Sequence, residues 1–373
     1  METDLQAKRR SAVVLLLSML CPLLLVLTAC SGDEGKVAEK MSEAANVTAN
    51  VNQNQNNGNA QQDEWKRQAD LYLEKNSFNG AVLVARKGEV LFSKGYGKAT
   101  ESAANTPDTV FRIMSLSKAF TAAAILQLQE KNLLQVTDTL DKYVPDFKNG
   151  STITIHHLLS HSSGIPREFP RMLNVPIKET IDAIKSRDLE FAPGTKYSYS
   201  NSGYIILAYI IATVSGQSYK QYMEDHIFGP LNMTKSGESI VPEDKKEPMS
   251  TGYVKNGNAV TPAPYFVTQS GGGSLYSTVG DLLLWDRALY GETVLKQSSI
   301  TKLFAPNLDN YGYGWSYRPK KGNVVVHNGS GSGYSTFIYR KLDSQDLVVV
   351  LSNVSDVPAE QIGFELAGKM PHN

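Results

Sequence analysis

One segment organises the rest of this chain: Phe111-Arg112-Ile113-Met114-Ser115-Leu116-Ser117-Lys118-Ala119-Phe120. The residues from Ser117 to Lys131 are rich in Ala, Leu, Ile and Gln, which predicts a buried helix. If Ser115 opens this helix, Lys118 lies one turn further along on the same side. The backbone N–H groups of the helix start and a partly neutral lysine amine would both favour loss of the serine proton. Ser115 is therefore the predicted nucleophile.

The Ser-x-x-Lys spacing is not specific on its own. The chain contains a second match, Ser299-Ile300-Thr301-Lys302, and either match could be the start of an ordinary helix. A catalytic role for Ser115 therefore requires further polar residues that the fold can bring to the same place.

Composition and charge exclude several classes of protein. The chain has 373 residues, enough for one large domain or two closely packed ones. It carries 37 Lys plus Arg and 37 Asp plus Glu, so no charge excess predicts a nucleic-acid partner. Both cysteines, Cys21 and Cys30, lie in the first 30 residues. Disulfides, cysteine nucleophiles and thiolate metal sites are therefore excluded from the rest of the chain.

The first 30 residues have the pattern of an export signal. Lys8-Arg9-Arg10 precedes an apolar run over 12–29, and Leu27-Thr28-Ala29-Cys30 resembles the lipobox of bacterial lipoproteins, whose cysteine carries the lipid. We expect a lipoprotein signal peptide over 1–29, lipid attachment at Cys30, and an extracytoplasmic protein anchored to a bacterial membrane. An uncleaved membrane helix is the alternative, because the apolar run is nearly long enough to span a bilayer.

Residues 30–62 are predicted to form a disordered tether. From about Gly35 onward this segment consists mainly of Asn, Gln, Ala, Glu and Ser, and it has too few large apolar residues to fold. The folded domain is expected over 63–373, beginning with an amphipathic helix near 63–75.

Strand patterns occupy both ends of this domain, and helical patterns occupy its middle. The first two strands, 80–86 and 89–94, are joined by a hairpin turn at Lys87-Gly88. Further helices are predicted near 153–165, 175–187, 203–215, 219–228, 278–290 and 358–369, and further strands near 324–327, 334–340 and 347–353. The predicted class is α+β, with one antiparallel sheet built from both ends, flanking helices and a mostly helical subdomain.

Two histidines on the predicted helix near 153–165 raise the question of a metal site. His157 and His161 are four residues apart, a spacing that zinc proteases use. Leu158 stands where such a motif needs its catalytic glutamate. We therefore interpret both histidines as packing residues, and we expect no metal or organic cofactor.

Two further motifs accompany Ser115. Tyr199-Ser200-Asn201 lies on a turn-rich loop before a helix, and His327-Asn328-Gly329-Ser330 ends a predicted strand whose edge can face a ligand. Together the three motifs resemble, in type and order, the signature of the serine β-lactamase and penicillin-binding protein superfamily: Ser-x-x-Lys, Tyr-x-Asn and Lys-or-His-x-Gly. The resemblance covers roughly residues 65–370. Tyr-x-Asn is the form found in class C-like members, which include DD-peptidases and related esterases.

The resemblance implies a β-lactamase/transpeptidase-like fold and catalysis through an acyl-enzyme. It makes Ser115 the nucleophile, with Lys118 and Tyr199 as the proton-handling pair in which the lysine charge favours a tyrosine phenolate. Asn201 would hold Lys118 and bind the substrate amide. The oxyanion would lie between the backbone N–H groups of Ser115 and Ser330.

The third motif departs from the β-lactamase pattern. Its predicted substrate-binding residues are His327, Gly329 and Ser330. His327 stands where most β-lactamases have Lys, and Asn328 where they have Thr, and those two residues help to bind the carboxylate of the antibiotic. A mostly neutral imidazole weakens the case for antibiotic hydrolysis. We therefore expect a D-alanyl-D-alanine carboxypeptidase or D-peptidase, acting on a small-molecule or cell-wall peptide substrate.

Two alternatives stay open at this point. The first is a class C-like β-lactamase or a carboxylesterase, which would use the same acyl-enzyme chemistry. The second is a penicillin-binding sensor that is acylated once without turnover. The presence of Tyr199 argues against the sensor, because a tyrosine at this position activates the deacylating water in the family.

Overall fold

Two segments far apart in the chain form one antiparallel sheet. The computed structural model describes residues 61–167, 176–238, 249–256, 259–264 and 270–371. In this part of the chain the sheet has the strand order β2-β1-β11-β10-β9-β8. Its strands are β1 (Gly80–Arg86), β2 (Glu89–Tyr96), β8 (Ser316–Tyr317), β9 (Val324–Gly331), β10 (Tyr334–Lys341) and β11 (Asp346–Ser352). The prediction that both ends of the domain meet in one sheet is confirmed.

Two adjacent interior strands, β1 and β11, are buried on both faces. On one face Val84 and Val350 belong to the apolar cluster formed with α1 (61–75) and α9 (Ala359–Gly368). On the other face Leu83 and Val349 belong to the larger cluster that includes the helical part of the domain. Because successive side chains of a strand alternate between faces, this run of apolar residues requires helices on both sides of the sheet.

The hairpin between β1 and β2 has the predicted turn. Arg86 pairs with Glu89, and Lys87 and Gly88 lie between them with φ values of 50° and 77°. Two consecutive positive φ values characterise the type I′ turn, whose twist matches that of the flanking strands. The Lys87-Gly88 prediction is confirmed.

The middle of the chain is mostly helical, as predicted. Its helices are α2 (Ser117–Glu130), α3 (Ile155–Leu159), α4 (Ile177–Lys185), α5 (Asn201–Ser215), α6 (Tyr219–Met223), α7 (Val279–Ala288) and α8 (Gln297–Phe304). The smaller strands are β3 (Phe111–Arg112), β4 (Gly237–Glu238) and β7 (Leu275–Ser277), which form one sheet, and the hairpin strands β5 (Tyr253–Asn256) and β6 (Ala259–Pro262). No helix in the described part of the chain combines the length and apolar composition needed to cross a bilayer.

Several predicted boundaries differ from the structure. α3 ends at Leu159, so His161 lies beyond the helix and not one turn along it from His157. α5 begins at Asn201, because the side chain of Ser200 accepts a hydrogen bond from the Gly203 N–H and caps the helix there.

α8 was not predicted, and it contains the second Ser-x-x-Lys match. Ser299 is buried whereas Lys302 is exposed, so their side chains do not share one environment. This match is an ordinary part of an amphipathic helix.

The expectations for the amino-terminal region lie almost entirely outside the described residues. These are the signal peptide over 1–29, lipid attachment at Cys30 and the tether over 30–62. The described part begins inside α1 at residue 61, so the last two residues of the predicted tether are helical.

Candidate active site

Ser115 lies on a tight turn between β3 and α2. Met114–Leu116 form a single 3-10 turn, and Met114 has a φ of 49°, in the left-handed region that residues with bulky side chains rarely adopt. Ser115 is partly exposed, whereas α2 behind it is buried on nearly all sides. Ser115 therefore lies in the turn before α2 and is not the first residue of that helix. The turn leaves the Ser115 hydroxyl accessible.

Neighbouring elements hold this strained turn in place. The Ser117 hydroxyl donates to the Met114 carbonyl at 2.7 Å and accepts from the Leu275 N–H of β7 at 3.1 Å. The Thr336 hydroxyl of β10 donates to the Ile113 carbonyl at 3.0 Å. Since these are buried hydrogen bonds, they oppose relaxation of the Met114 backbone towards an ordinary conformation.

Lys118 is fully buried, and its amine is surrounded by hydrogen-bond acceptors. Its Nζ lies 3.1 Å from Ser115 Oγ, 2.9 Å from Asn201 Oδ1 and 2.6 Å from the Gly272 carbonyl oxygen. An ammonium group has three N–H donors, and each has one acceptor here. The structure thus brings Ser115, Lys118 and Asn201 together as predicted, and it adds Gly272.

The pKa of Lys118 is lowered to about 7, first by burial and then by the positive charge of Arg167. Near neutral pH a large fraction of the amine is therefore uncharged. The Asn201 oxygen and the Gly272 carbonyl can only accept hydrogen bonds, so the lone pair of the neutral amine is left for the Ser115 hydroxyl. This arrangement allows the serine proton to pass to Lys118.

Tyr199 lies beside Lys118 and Ser115. Its ring centroid is 4.8 Å from Lys118 Nζ, and its side chain forms a hydrogen bond with Ser115. Burial raises the pKa of Tyr199, and the hydrogen bond with Ser115 opposes this only in part. The predicted phenolate is therefore wrong for this environment, which favours the neutral phenol. A neutral phenol can donate a proton or relay one, but it is not a base.

His161 is a buried packing residue, as predicted, and its ring lies against that of Tyr199. The two ring centroids are 4.3 Å apart, and His161 Nδ1 accepts a hydrogen bond from the Ser200 N–H at 3.1 Å. His157 has a different role, since its Nδ1 accepts from the Thr154 N–H and caps α3. Within the described residues no group of three His, Cys, Asp or Glu side chains is placed to hold a metal ion.

His327 is buried, and both of its ring nitrogens have partners. Nδ1 lies 2.7 Å from the Asn328 carbonyl oxygen, and Nε2 lies 2.9 Å from the Tyr311 hydroxyl. A carbonyl only accepts, so Nδ1 carries the proton and Nε2 accepts from Tyr311. Burial, and then the charge of Lys118, lower the pKa of His327 to about 3. The imidazole is therefore neutral, as predicted, but its partner Tyr311 was not predicted because no local pattern marks it.

Gly329 allows β9 to approach the turn that carries Ser115. A Cβ atom at this position would lie 2.7 Å from the Ile113 carbonyl oxygen and 2.9 Å from the Met114 Cβ. Among the described strands, β8 pairs with β9 only at Val325 and Val326, which leaves the edge beyond them without a strand partner on that side. Ser330 is exposed on this segment of β9. The third motif therefore lies next to Ser115, as predicted.

A serine hydroxyl beside a buried lysine of lowered pKa, with a tyrosine and an asparagine in contact, defines the site of a serine hydrolase. The family model described as Beta-lactamase matches residues 61–366. The chain belongs to that family, and the predicted superfamily and fold class are confirmed.

Named relatives agree with this assignment. The Bacillus subtilis protein PbpX, named as a penicillin-binding protein, is 35% identical over 76% of this chain and 73% of its own length. Penicillin-binding protein 4* of the same organism is 33% identical over 75% of this chain and 69% of its own. The crystal structure of a penicillin-binding protein from Bacillus halodurans superimposes with a TM-score of 0.74 at 25% identity, covering 81% of this chain and 99% of that one.

Proposed function

We propose that this serine hydrolase is a D-alanyl-D-alanine carboxypeptidase or D-peptidase that works outside the cytoplasm, anchored to a bacterial membrane through a lipid on Cys30. The contact of 3.1 Å between Lys118 Nζ and Ser115 Oγ, at a lysine with a pKa of about 7, is the main support for the acyl-enzyme chemistry. It supplies a base within reach of the serine proton at neutral pH.

In the proposed acylation step the Ser115 oxygen bonds to the carbonyl carbon of the penultimate residue, and its proton passes to the neutral Lys118 amine. The negative charge on the carbonyl oxygen is stabilised by the backbone N–H groups of Ser115 and Ser330. The carbon–nitrogen bond then breaks, and the departing amine takes a proton from the Tyr199 hydroxyl, which Lys118 replenishes. The products are the free terminal amino acid and an ester on Ser115.

Deacylation reverses these proton movements with water as the nucleophile. Water loses a proton to Lys118 by way of the Tyr199 hydroxyl, its oxygen bonds to the ester carbon, and the ester bond to Ser115 breaks. The Ser115 oxygen takes back a proton and the acid product leaves. Because Tyr199 is neutral before the reaction, its role is that of a relay, and Lys118 supplies the basicity.

One feature of β9 favours a peptide substrate. The strand edge beyond Val326 has no described strand partner, so an extended peptide can add to it through backbone hydrogen bonds. His327 is neutral where most β-lactamases have Lys, so it provides no charge for the carboxylate of an antibiotic or of a peptide terminus. Since the matching family is described as Beta-lactamase, a class C-like β-lactamase or a carboxylesterase is the second candidate.

One comparison of substrates separates these functions and the non-turnover sensor. The full chain in detergent is incubated with a fluorescent penicillin, nitrocefin, a diacetyl-lysyl-D-alanyl-D-alanine peptide and a nitrophenyl acetate ester. Release of D-alanine with a long-lived penicillin label supports the proposal. Rapid nitrocefin turnover without D-alanine release contradicts it in favour of a β-lactamase, ester turnover alone favours an esterase, and permanent labelling without turnover favours a sensor.

A variant tests the role of Ser115, and a second one tests the anchor. Ser115→Ala should abolish covalent penicillin labelling, and persistent labelling would refute the assignment. Cys30→Ala should release the protein from the membrane fraction of a bacterial host and prevent incorporation of a labelled fatty acid. Membrane retention with no labelled lipid in the unmodified chain would instead support the uncleaved helix.

A further inference from the structure

One buried histidine beside the catalytic groups takes no part in the proposed proton transfers. His161 is 1% exposed, and its ring lies against the Tyr199 ring with the two centroids 4.3 Å apart. The other aromatic rings near Tyr199, those of Tyr311 and His327, lie at 6.4 Å and 6.5 Å. Among the described residues, His161 therefore makes the closest ring contact with Tyr199.

His161 also binds the backbone on both sides of Tyr199. Its carbonyl oxygen accepts a hydrogen bond from the Ser198 N–H at 2.8 Å, and its Nδ1 accepts one from the Ser200 N–H at 3.1 Å. These two N–H groups belong to the residues directly before and after Tyr199. A single residue thus holds both the ring and the flanking backbone of Tyr199, which restricts movement of this tyrosine relative to Ser115.

Neighbouring residues fix His161 itself. It lies just beyond α3, which ends at Leu159, and its φ of 57° is in the left-handed region. Its ring centroid lies 4.6 Å from that of Tyr311 and 5.1 Å from that of Tyr204. The Tyr204 hydroxyl donates to the Leu159 carbonyl at 2.9 Å, which attaches α5 to the end of α3. The histidine ring is therefore packed among other rings and cannot easily withdraw from Tyr199.

His161 is neutral, and its two ring nitrogens differ. Nδ1 accepts from the Ser200 N–H, so the proton of the neutral ring is on Nε2. Burial, and then the charge of Lys118, lower the pKa of His161 well below its ordinary value. Nε2 has no hydrogen-bond partner among the described residues. His161 therefore exchanges no proton with Tyr199 or Lys118, and it can act on the reaction only by holding Tyr199 in place.

Packing alone does not explain a histidine at this position. A buried N–H without an acceptor, such as that of Nε2, destabilises the folded state, and a phenylalanine ring would fill similar space without this penalty. Phenylalanine, however, has no acceptor for the buried Ser200 N–H. The Nδ1 acceptor next to Tyr199 is therefore the property that distinguishes histidine from phenylalanine here.

We propose that His161 is a positioning residue that holds the Tyr199 hydroxyl against Ser115 for the relay of protons. This inference rests on the relay that the proposed function assigns to Tyr199. The Tyr199 side chain forms a hydrogen bond with Ser115. A displacement of about 1 Å at such a contact can slow a reaction by about a hundredfold. A fixed Tyr199 keeps its hydroxyl in this contact during acylation.

Two variants of His161 each retain one of its side-chain contacts. His161→Phe keeps a ring against Tyr199 but loses the acceptor for the Ser200 N–H. His161→Asn keeps an acceptor, because its amide oxygen can occupy the place of Nδ1, but it loses the ring. Asparagine also adopts a left-handed φ more readily than most residues, so this variant suits the backbone at position 161.

His226→Phe is the matched control. The His226 ring centroid lies 4.4 Å from that of Tyr222, so this contact is of the same kind. The His226 carbonyl accepts a hydrogen bond from Gln127 on α2, about two and a half helical turns beyond Lys118. Because His226 lies away from the site, its replacement should leave the labelling rate unchanged.

Acylation by a fluorescent penicillin is measured on the full chain in detergent, with each variant made alone and together with Tyr199→Phe. His161→Phe and His161→Asn should each lower the maximal acylation rate by roughly tenfold to a hundredfold, with little change in the penicillin concentration that gives half of this rate. Together with Tyr199→Phe, the same changes should lower the rate by less than about twofold, since no hydroxyl is left to position.

A loss that disappears in the Tyr199→Phe background for only one variant would support the contact that this variant removes. Equal losses with and without Tyr199→Phe, or no loss from either His161 variant, would overturn the inference, because a merely structural role slows both backgrounds alike.

A spectroscopic measurement separates this inference from the proposed relay. Difluorotyrosine, with fluorine on both ring carbons next to the hydroxyl, is placed at position 199 of the full chain. A ring that is held in place gives separate fluorine NMR resonances for its two edges, whereas a rapidly flipping ring gives a single averaged resonance. We expect separate resonances in the otherwise unmodified protein and in His226→Phe, and an averaged one in His161→Asn.

If Tyr199→Phe is labelled at the normal rate, the proposed relay fails, but the fluorine spectrum still tests His161. In that case averaging in His161→Asn supports His161 as the residue that holds Tyr199. Separate resonances that persist in His161→Asn, or a single resonance in the otherwise unmodified protein, refute it.

Discussion

The Oδ1 atom of Asn201 lies 2.9 Å from the Nζ atom of Lys118, although 83 residues separate them in the chain. The contact joins the first residue of α5 to the second residue of α2. A neutral amide at this place holds the amine without adding a negative charge, so burial can lower the pKa of Lys118 to about 7. The choice of Asn rather than Asp therefore sets the pH range in which Lys118 can act as a base.

The acylation rate should rise with pH through about 7, because the amine accepts the serine proton only when it is uncharged. Below this pH Lys118 is protonated, and above it the rate should become constant. Stopped-flow measurement of fluorescent penicillin labelling between about pH 5.5 and 9 gives the profile. A rate that does not change over this interval, or one that still rises steeply at about pH 9, would contradict the assignment of Lys118 as the base.

Asn201→Asp should move the midpoint of this pH profile to higher pH. A carboxylate in contact with the amine favours the ammonium form and raises the lysine pKa by roughly 1 to 3 units. Labelling near pH 7 should then fall by about tenfold or more and recover in part at about pH 9. Asn76→Asp, at an exposed position just after α1, serves as the control and should leave the midpoint of the pH profile unchanged. A variant whose rate falls equally at all pH values would show that Asn201 acts through geometry alone.

Tyr199→Phe should lower the acylation rate by roughly a hundredfold to ten-thousandfold, because the leaving group loses its proton relay. The midpoint of the pH profile should stay near 7, since Lys118 and not Tyr199 is the basic group. Disappearance of the pH dependence in this variant would mean that the tyrosine itself titrates in the mechanism.

Gly329→Ala should impair the site by moving the turn that carries Ser115. The new methyl group would lie 2.5 Å from Thr336 Oγ1 and 2.7 Å from the Ile113 carbonyl oxygen. We expect destabilisation by about 1–3 kcal/mol and a larger loss of labelling rate than this stability change explains. Gly368→Ala is the control because nothing lies within 4 Å of its added methyl group. Urea unfolding and labelling kinetics of both variants would check this, and normal labelling by Gly329→Ala would contradict it.

His327 should make the folded protein less stable as the pH falls from 6.5 towards 3. The unfolded chain binds a proton at this residue below its ordinary pKa of 6.5, whereas the folded chain resists it down to about 3. Stability therefore declines with falling pH in this window, by about 1.4 kcal/mol per pH unit for one such group. Urea unfolding at several pH values should show a smaller slope for His327→Gln than for the unmodified protein. Equal slopes would mean that His327 is protonated in the folded state.

The sequence predicted the class of fold because its patterns are local. Continuous runs of apolar residues mark β1 and β11, and Lys87-Gly88 marks the turn that follows β1. The three catalytic motifs were recognisable from residue type and order. Boundaries were less certain: α8 was missed, and His161 was placed on a helix that ends before it. α8 has an amphipathic pattern that was overlooked, whereas His161 has a φ of 57°, which a helix cannot contain.

By itself, then, the sequence predicted which residues belong to the candidate site: Ser115, Lys118, Tyr199, Asn201 and His327, from three motifs in order and not from any single spacing. Only the tertiary structure decided their protonation states and partners. The lowered pKa of Lys118, the raised pKa of Tyr199 and the neutral ring of His327 all follow mainly from burial. Burial depends on how distant segments pack together, and the free energy of a charge depends on the loss of water around it.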